Sequence, residues 1–494
     1  MSEKVSHNVF QSAFSVNRID AFVSGIRDRH QGFQAPFSER RLALIMVDTF
    51  LLALATATSI LLRDWVTNSG LNIQQVFYRW YWLIPWFGIW LGSSFLNDLY
   101  DIPTSYSKYS TVSRILTTGQ LSFIIYMPLS FLMLYPLSSL LVLFSLVMAI
   151  PAIIAWRLFY IKVSGLPAFR YRVLIIGTGK QAATITGLLK SKAELNFEVM
   201  GHVEDVPTRS ESRIGDLNVL GDLKDLPRLI SETRAHEIIL ATGNGINQDI
   251  LQCLIECQAK GVRMIRMPDL YVRLKRQVPI NEIDADWAFH AIQSQALFWR
   301  MKLGIKRMMD IVLILFGLPI LGLVLPVLAL AIRLDSPGPI FYRQVRSGRA
   351  GKPFYIFKFR TMVNNAEKDG KPQWAKKNDS RITRVGRFLR KARLDELPQL
   401  INILRGDMSF IGPRPERPDF VNMLREQVPF YDTRLLVKPG LTGWAQVHYD
   451  YGNSTEDALI KLQYDFFYIG HWSLWLDLYI LFRTVAVVLK LKGT

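Results

Sequence analysis

Two adjacent carboxylates, Asp395 and Glu396, stand in the stretch LDELPQLINILRGDMSFIGPRPE, in the most basic part of a 494-residue chain. From Ile340 to Leu400 there are 16 Lys or Arg against 5 Asp or Glu. A lone acidic pair in such a field either balances charge or does chemistry. Surrounding cations suit phosphate groups; beside a phosphate, a carboxylate can act as a nucleophile or help hold a divalent cation. On spacing alone the pair also reads as exposed acids at a helix start, stabilised by the helix dipole.

The elements that must position the pair begin with the membrane. Half the residues are hydrophobic and there are twelve Trp. Leu42–Leu62, Trp80–Leu96, Ile115–Tyr135 and Leu140–Trp156 are each about the 20 residues that a bilayer span needs, and a fifth apolar run covers Ile311–Ile332. The first 41 residues lack an apolar core with a small-residue cleavage site, and so read as a cytoplasmic tail rather than a signal peptide. Cys253 and Cys257, four apart, suit neither zinc spacing nor a disulfide framework; they read as free thiols in a reducing compartment. The formal charge of +18 clusters beside apolar runs without an aromatic-basic nucleic-acid motif. Anionic headgroups and phosphate substrates are therefore the expected partners, and nucleic acid is not.

Charge placement sets the topology. Arg18, Arg27, Arg29, Arg40 and Arg41 precede the first run, and Arg157, Lys162, Arg170 and Arg172 follow the fourth, which puts both ends in the cytoplasm. The turn at Pro136–Ser138 carries no charge, as an outside turn can. The fifth run has basic residues on both sides, Arg300, Lys302, Lys306 and Arg307 before it and Arg333, Arg343, Arg346, Arg349 and Lys352 after it. A helix that dips in and returns satisfies both flanks, with Pro319, Gly322 and Pro326 available to bend it; an ordinary kinked fifth span is the alternative. The final segment, HWSLWLDLYILFRTVAVVLKLKG, carries Asp477, Arg483, Lys490 and Lys492 among apolar residues and reads as an interfacial amphipathic helix.

Between these parts, YRVLIIGTGKQAATITGLL places Gly177, Gly179 and Ala182 in the spacing G-x-G-x-x-A after a strand and before a helix. This context fits a dinucleotide-type α/β fold, with Glu204 or Asp205 where a ribose-binding carboxylate would follow. The motif is compatible with a bound nucleotide or with a domain that kept only the fold.

From Ser336 onward the motifs are dense: SPGPIFYRQVRSGRAGKPFYIFKFRTM, RITRVGRFLRKARLDELPQLINILRGDMSFIGPRPERPDF, KPGLTGWAQV and LQYDFFYIG. These resemble the bacterial polyprenyl-phosphate phosphoglycosyl transferases of the monotopic kind, in the large form that adds four spans and a nucleotide-fold domain. The resemblance implies transfer of a sugar 1-phosphate from a UDP-sugar, with UDP-glucose or UDP-galactose the first guesses, to undecaprenyl phosphate. This step initiates exopolysaccharide, capsule or O-antigen synthesis at the cytoplasmic face of the bacterial inner membrane. It makes Asp395 the nucleophile that forms an acyl phosphate, and Glu396 its partner in holding and positioning Mg²⁺. Arg390, Arg414, Lys358 and Arg360 match basic positions for substrate phosphate or nucleotide, and Asp465 matches a further acidic position near the site. One departure is that the family's mid-helix Ser-Pro is absent. The Ser-Pro pair here, Ser336-Pro337, lies past the helix end.

The expected fold is thus a mixed membrane protein. It comprises a tail (1–41), a four-helix transmembrane bundle (42–160), a Rossmann-like α/β domain (168–275), a re-entrant helix with a basic flank (300–334) and a mostly α catalytic domain (335–494). Membrane lipids are partners and a homo-oligomer is possible. Two rivals remain: an NAD-dependent nucleotide-sugar dehydratase using the Gly177 loop and the spacing Tyr271-x-x-x-Lys275, and a non-enzymatic scaffold for polymer export.

Overall fold

The computed structural model describes residues 37–66, 73–100, 108–131, 139–164, 171–191, 197–204, 213–214, 217–242, 248–259, 261–293, 299–363, 379, 381–449, 452 and 454–489. Most of the N-terminal tail, Arg170, Asp205, the turn at 136–138, and Lys490 with Lys492 lie outside them. The chain divides into two compact units, 1–242 with 246–265, and 243–245 with 266–494.

The first unit opens with four helices, α1 (Phe37–Val66), α2 (Ile73–Leu96), α3 (Lys108–Phe131) and α4 (Ser139–Ser164). They share one apolar core in which Leu52, Trp86, Trp90, Ile115, Tyr126, Val142 and Ile153 are all buried. Within the described residues Arg41–Arg63 and Leu140–Val163 are long and apolar enough to cross a membrane. Those stretches belong to α1 and α4; α2, α3 and α4 each contain a proline. Arg157 was expected on the cytoplasmic flank. It is instead fully buried in the bundle, its Nη2 2.6 Å from Asp48 Oδ2, because a charge among apolar helices persists only when paired.

The same unit carries a six-stranded sheet in the order β3-β4-β2-β1-β5-β6. Its strands are β1 (Tyr171–Ile176), β2 (Phe197–Glu204), β3 (Arg213–Ile214), β4 (Leu217–Asp222), β5 (Glu237–Leu240) and β6 (Arg263–Arg266), and its helices α5 (Lys180–Ser191), α6 (Leu226–Thr233) and α7 (Gln248–Ala259). β1 pairs in parallel with β2 and β5. Its residues Val173–Ile176 are wholly buried, as a central parallel strand requires. Gly177 has φ +117°, and a Cβ there would collide with the backbone at Ala241. Its carbonyl also faces His202 Nδ1 at 3.3 Å. The first glycine of the loop thus has a packing reason to be glycine, independent of any ligand.

The second unit contains α8 (Met267–Lys275), α9 (Ala285–Gln293), α10 (Trp299–Asp335), a hairpin of β7 (Phe341–Ser347) and β8 (Pro353–Phe359), and α11 (Arg384–Lys391). A 3₁₀ turn (Leu394–Gln399), α12 (Leu400–Arg405), β9 (Ser409–Ile411), α13 (Pro418–Gln427), β10 (Gly440–Thr442), α14 (Trp444–His448), α15 (Thr455–Gly470) and α16 (Leu474–Leu489) follow. The sheet domain was expected to run to 275. α8 belongs to the second unit instead, where Val272 packs with Val421, Leu424 and Phe466, and Trp287 Nε1 donates to Asp269 Oδ1 at 2.9 Å.

α10 is bent by 57° between the stretches Leu303–Pro319 and Leu321–Asp335. The bend sits beside Pro319, which lacks the N–H that a continuous helix needs, rather than at Gly322 or Pro326. One face of α10 is buried in the unit: Ile314 and Leu321 pack with Ile356, Leu400 and Ile403, and Ile332 with Phe359 and Leu389. The other face leaves Leu315, Phe316, Leu323, Val327, Leu330 and Leu334 exposed, an apolar stripe suited to lipid.

Lys306 and Arg307, inside the first turns of α10, work differently from the expectation of a headgroup contact. Lys306 Nζ donates to Asp477 Oδ2 at 2.6 Å and to Tyr468 Oη at 2.9 Å. Arg307 donates to the carbonyl oxygens of Ile403 and Leu404 at the end of α12, and Asp310 accepts from Ser409 Oγ and Phe410 N. Asp477 was expected on the wet side of an interfacial helix, but it is fully buried and also accepts from Trp472 Nε1. Among the side chains described in α16, Leu474, Trp475, Leu478 and Phe482 are exposed, so this stretch has an inward polar anchor and an outward apolar face.

Candidate active site

Thr383 caps α11 by accepting from Gly386 N, and α11 ends at Ala392. Arg393 then takes a left-handed conformation, φ 53°, which reverses the chain into the 3₁₀ turn carrying the carboxylate pair. Pro398 lies inside that turn, α12 follows at once, and α12 stops at Gly406 with φ 90°. Asp395 and Glu396 are 9% and 6% exposed, so the reading of a solvated pair at a helix start fails: neither carboxylate faces bulk water.

Glu396 Oε1 accepts from Arg414 Nη2 at 2.9 Å and from Lys358 Nζ at 3.1 Å. Burial alone would push the Glu396 acid up, but Arg414, Lys358 and Arg393 hold it far below the ordinary carboxylate range. Asp395 behaves oppositely. Burial and the adjacent Glu396 charge raise it to about 6, with Lys358, Arg390 and Arg414 opposing. Among the described residues no hydrogen bond reaches its carboxylate. One member of the pair is thus ionised and locked in place, while the other is desolvated, more basic and uncommitted, the state that favours nucleophilic attack.

Arg414 is aimed by backbone. A Cβ on Gly412, Gly440 or Gly443 would collide with the facing backbone, so the segments IGPRP and KPGLTG can touch only as glycines. Gly412 N donates to Thr442 O and Gly440 N to Pro413 O, each at 2.9 Å. A shallow cleft lies on this loop, lined among others by Arg414, Glu416, Arg434 and Pro439. A similar close approach sets Arg390: Gly386 abuts the Thr361 backbone, and Arg390 Nε donates to Thr361 Oγ1 at 3.0 Å.

Comparison with known proteins matches residues 301–491 to the bacterial sugar transferase family and residues 95–268 to a CoA-binding domain. A UDP-glucose:undecaprenyl-phosphate glucose-1-phosphate transferase of Xanthomonas campestris pv. campestris is 32% identical over 326 residues, 65% of this chain and 67% of that protein. This chain belongs to the bacterial sugar transferase family. A UDP-N-acetylgalactosamine-undecaprenyl-phosphate N-acetylgalactosaminephosphotransferase of Aeromonas hydrophila is 46% identical over 185 residues, and a UDP-glucose:undecaprenyl-phosphate glucose-1-phosphate transferase of Escherichia coli K12 is 44% identical over 183. Each of those two matches covers 37% of this chain, and respectively 44% and 39% of the relative. The expectation of an enzyme of the phosphoglycosyl transferase kind holds, and together with its apolar helices the membership makes this a bacterial membrane protein.

Within this sugar transferase the expected residues separate into three groups. Lys358 and Arg414 meet at Glu396, and Arg390 lies close enough to lower Asp395. Asp465 stands behind them: it pairs with Arg434 at 3.1 Å, and Arg434 donates to the Arg414 carbonyl at 2.9 Å. Burial raises the Asp465 acid to about 6 against the pull of Arg434. Arg360 is elsewhere. Its guanidinium donates to the carbonyl oxygens of Pro337 and Ser336 and to Ser336 Oγ, closing the C-terminal end of α10. Arg393 and Arg434 escaped the sequence reading: nothing marks Arg393 among the sixteen basic residues of 340–400, and Arg434 lies outside both that stretch and the quoted motifs.

Of the residues in the dehydratase reading, Tyr271 and Lys275 lie on α8 in the second unit and the Gly177 loop lies in the first.

Proposed function

We propose that the chain transfers a sugar 1-phosphate from a UDP-sugar to undecaprenyl phosphate, through a covalent intermediate on Asp395. The observation that carries this reading is the buried Asp395 carboxylate, which accepts no hydrogen bond among the described residues, beside Glu396 and with Lys358, Arg390, Arg393 and Arg414 around the pair. An Asp395 carboxylate oxygen attacks the phosphorus that bears the sugar. The bond from that phosphorus to the bridging oxygen of the diphosphate breaks, its electron pair leaves with UMP, and an aspartyl phosphosugar remains. A phosphate oxygen of undecaprenyl phosphate then attacks the same phosphorus. The aspartyl bond breaks, Asp395 returns as a carboxylate, and a lipid diphosphate sugar departs. Lys358, Arg390 and Arg414 draw the diphosphate in and offset the charge that builds on it.

The pair also fits Mg²⁺, since Mg²⁺ is commonly held by one or two carboxylates together with substrate phosphates. Among the described residues no group of three or more His, Cys, Asp or Glu could hold a metal, so a protein-only cage is not what the site offers. Asp395 and Glu396 would hold the ion, which when bound would shield the diphosphate's negative charge.

The relatives named for glucose and for N-acetylgalactosamine support a UDP-hexose donor and leave the choice between these sugars open, with galactose a further candidate. A bend in α10 whose two halves both pack on the catalytic unit supports the helix dipping into the cytoplasmic leaflet of the inner membrane and returning. The four packed helices of the first unit support four crossings, with the catalytic unit on the cytoplasmic side. The experiment is a panel of UDP-glucose, UDP-galactose and UDP-N-acetylgalactosamine with undecaprenyl phosphate, followed by UMP release, and mass spectrometry of protein incubated with donor alone. A phosphosugar adduct on the peptide containing Asp395 is expected; an adduct on another residue, or UMP release with none, overturns the covalent route.

A further inference from the structure

Among the described residues β8 pairs with a strand, β7, on one edge only, which leaves the backbone groups of Tyr355 and Phe357 on its other edge in need of partners. Both find them in one side chain. Asn402 on α12 is fully buried; its Nδ2 donates to the Tyr355 carbonyl at 2.7 Å, and its Oδ1 accepts from Phe357 N at 3.1 Å. The side-chain amide thus stands where the peptide unit of a third strand would be.

Two features give this bond its consequence. Lys358, the next residue along β8, is the one that reaches Glu396. Asn402 is six residues beyond Glu396, on the helix that continues directly from the 3₁₀ turn. The base of α12 is itself closed, because the Asn402 carbonyl accepts from Gly406 N and Asp407 N at 3.0 Å each. Strand and turn therefore have a rigid joint at Asn402.

We propose that Asn402 is a positioning residue for the transfer reaction: its amide joins β8 to α12 and so sets Lys358 against Glu396. The inference rests on the reading of Asp395 and Glu396 as the reacting pair. Amide geometry makes the joint selective. Both a donor and an acceptor, in one plane, are needed, and only Asn supplies them at this length. Truncation to Ala takes this partner from Tyr355 O and Phe357 N together, which releases β8 from α12 at that point. Asn402→Gln keeps both groups but lengthens the joint by one methylene.

The test reads Lys358 directly. Full-length protein in membranes is treated with a water-soluble amine-acetylating reagent, and lysine labelling is followed by peptide mass spectrometry alongside UMP release. Lys306, buried against Asp477, is the internal control. In Asn402→Ala, and to a lesser degree in Asn402→Gln, Lys358 labelling should rise about tenfold with Lys306 unchanged, while UMP release falls about 10- to 100-fold, as a misplacement near 1 Å can cause. Unchanged Lys358 labelling overturns the proposal. So does Lys306 rising in step with Lys358 in both variants, which would make Asn402 a general fold residue. If wild-type protein releases no UMP while Lys358 labelling responds as described, the functional reading fails and the joint stands.

Discussion

Arg414 Nη2 and Lys358 Nζ converge on a single oxygen of Glu396, at 2.9 and 3.1 Å, from a proline-flanked loop and from a hairpin strand. The second Glu396 oxygen is left to other partners, and so is the whole carboxylate of Asp395. An anion is already held by the two cations that a diphosphate needs, so a donor must join or displace it.

Arg414→Lys keeps the charge but removes the planar fork. It should lower kcat/KM for the UDP-sugar about 10- to 100-fold, the loss of one charge-assisted hydrogen bond. UMP release at varied donor concentration measures it.

Asp395→Asn should reduce turnover about 10⁴-fold or more, because no covalent intermediate can form. The variant should remain folded and melt at a higher temperature above pH 6, since it removes a buried carboxylate whose ionised form the fold disfavours. Substantial residual turnover would place the nucleophile elsewhere.

The acid limb of the reaction follows from the same shift. Asp395 is raised to about 6, by burial first and by Glu396 second, and attack needs its ionised form. kcat/KM should therefore be flat above neutral pH and fall about tenfold per pH unit well below the folded value. Protonation strengthens folding here rather than weakening it: the folded state binds the proton more tightly than the unfolded chain, so this group's contribution to stability declines as pH rises through about 6. A limb centred near the ordinary carboxylate value would contradict the burial of Asp395.

The anchor between α10 and α16 is a buried charge pair, Lys306 with Asp477. Asp477→Ala leaves an ammonium buried without its counterion and should destabilise the C-terminal unit by about 3–5 kcal/mol. Limited proteolysis or thermal unfolding in detergent reads this. The double variant Lys306→Met with Asp477→Leu should recover part of the loss, because removing both charges removes the uncompensated one.

Local signals in the sequence reached far. The apolar runs marked helices that form, the strand-glycine-helix spacing marked the parallel sheet, and the dense C-terminal motifs marked a sugar transferase. These features depend on neighbours in the chain: hydrophobic periodicity, turn residues and short motifs are written within a few positions. Which charges meet was not written there. Arg157, Lys306, Arg307 and Asp477 looked like flanking or interfacial charges and proved to be internal anchors, and Arg360 left the expected site for the end of α10. Arg434 and Asn402, which no motif singled out, entered the network around the pair. A charge or an amide shows the same letter whether it faces water or a partner distant in the chain; only packing removes the water and makes pairing obligatory, and that step alone set Asp395 and Glu396 on opposite sides of the ordinary acidity of a carboxylate.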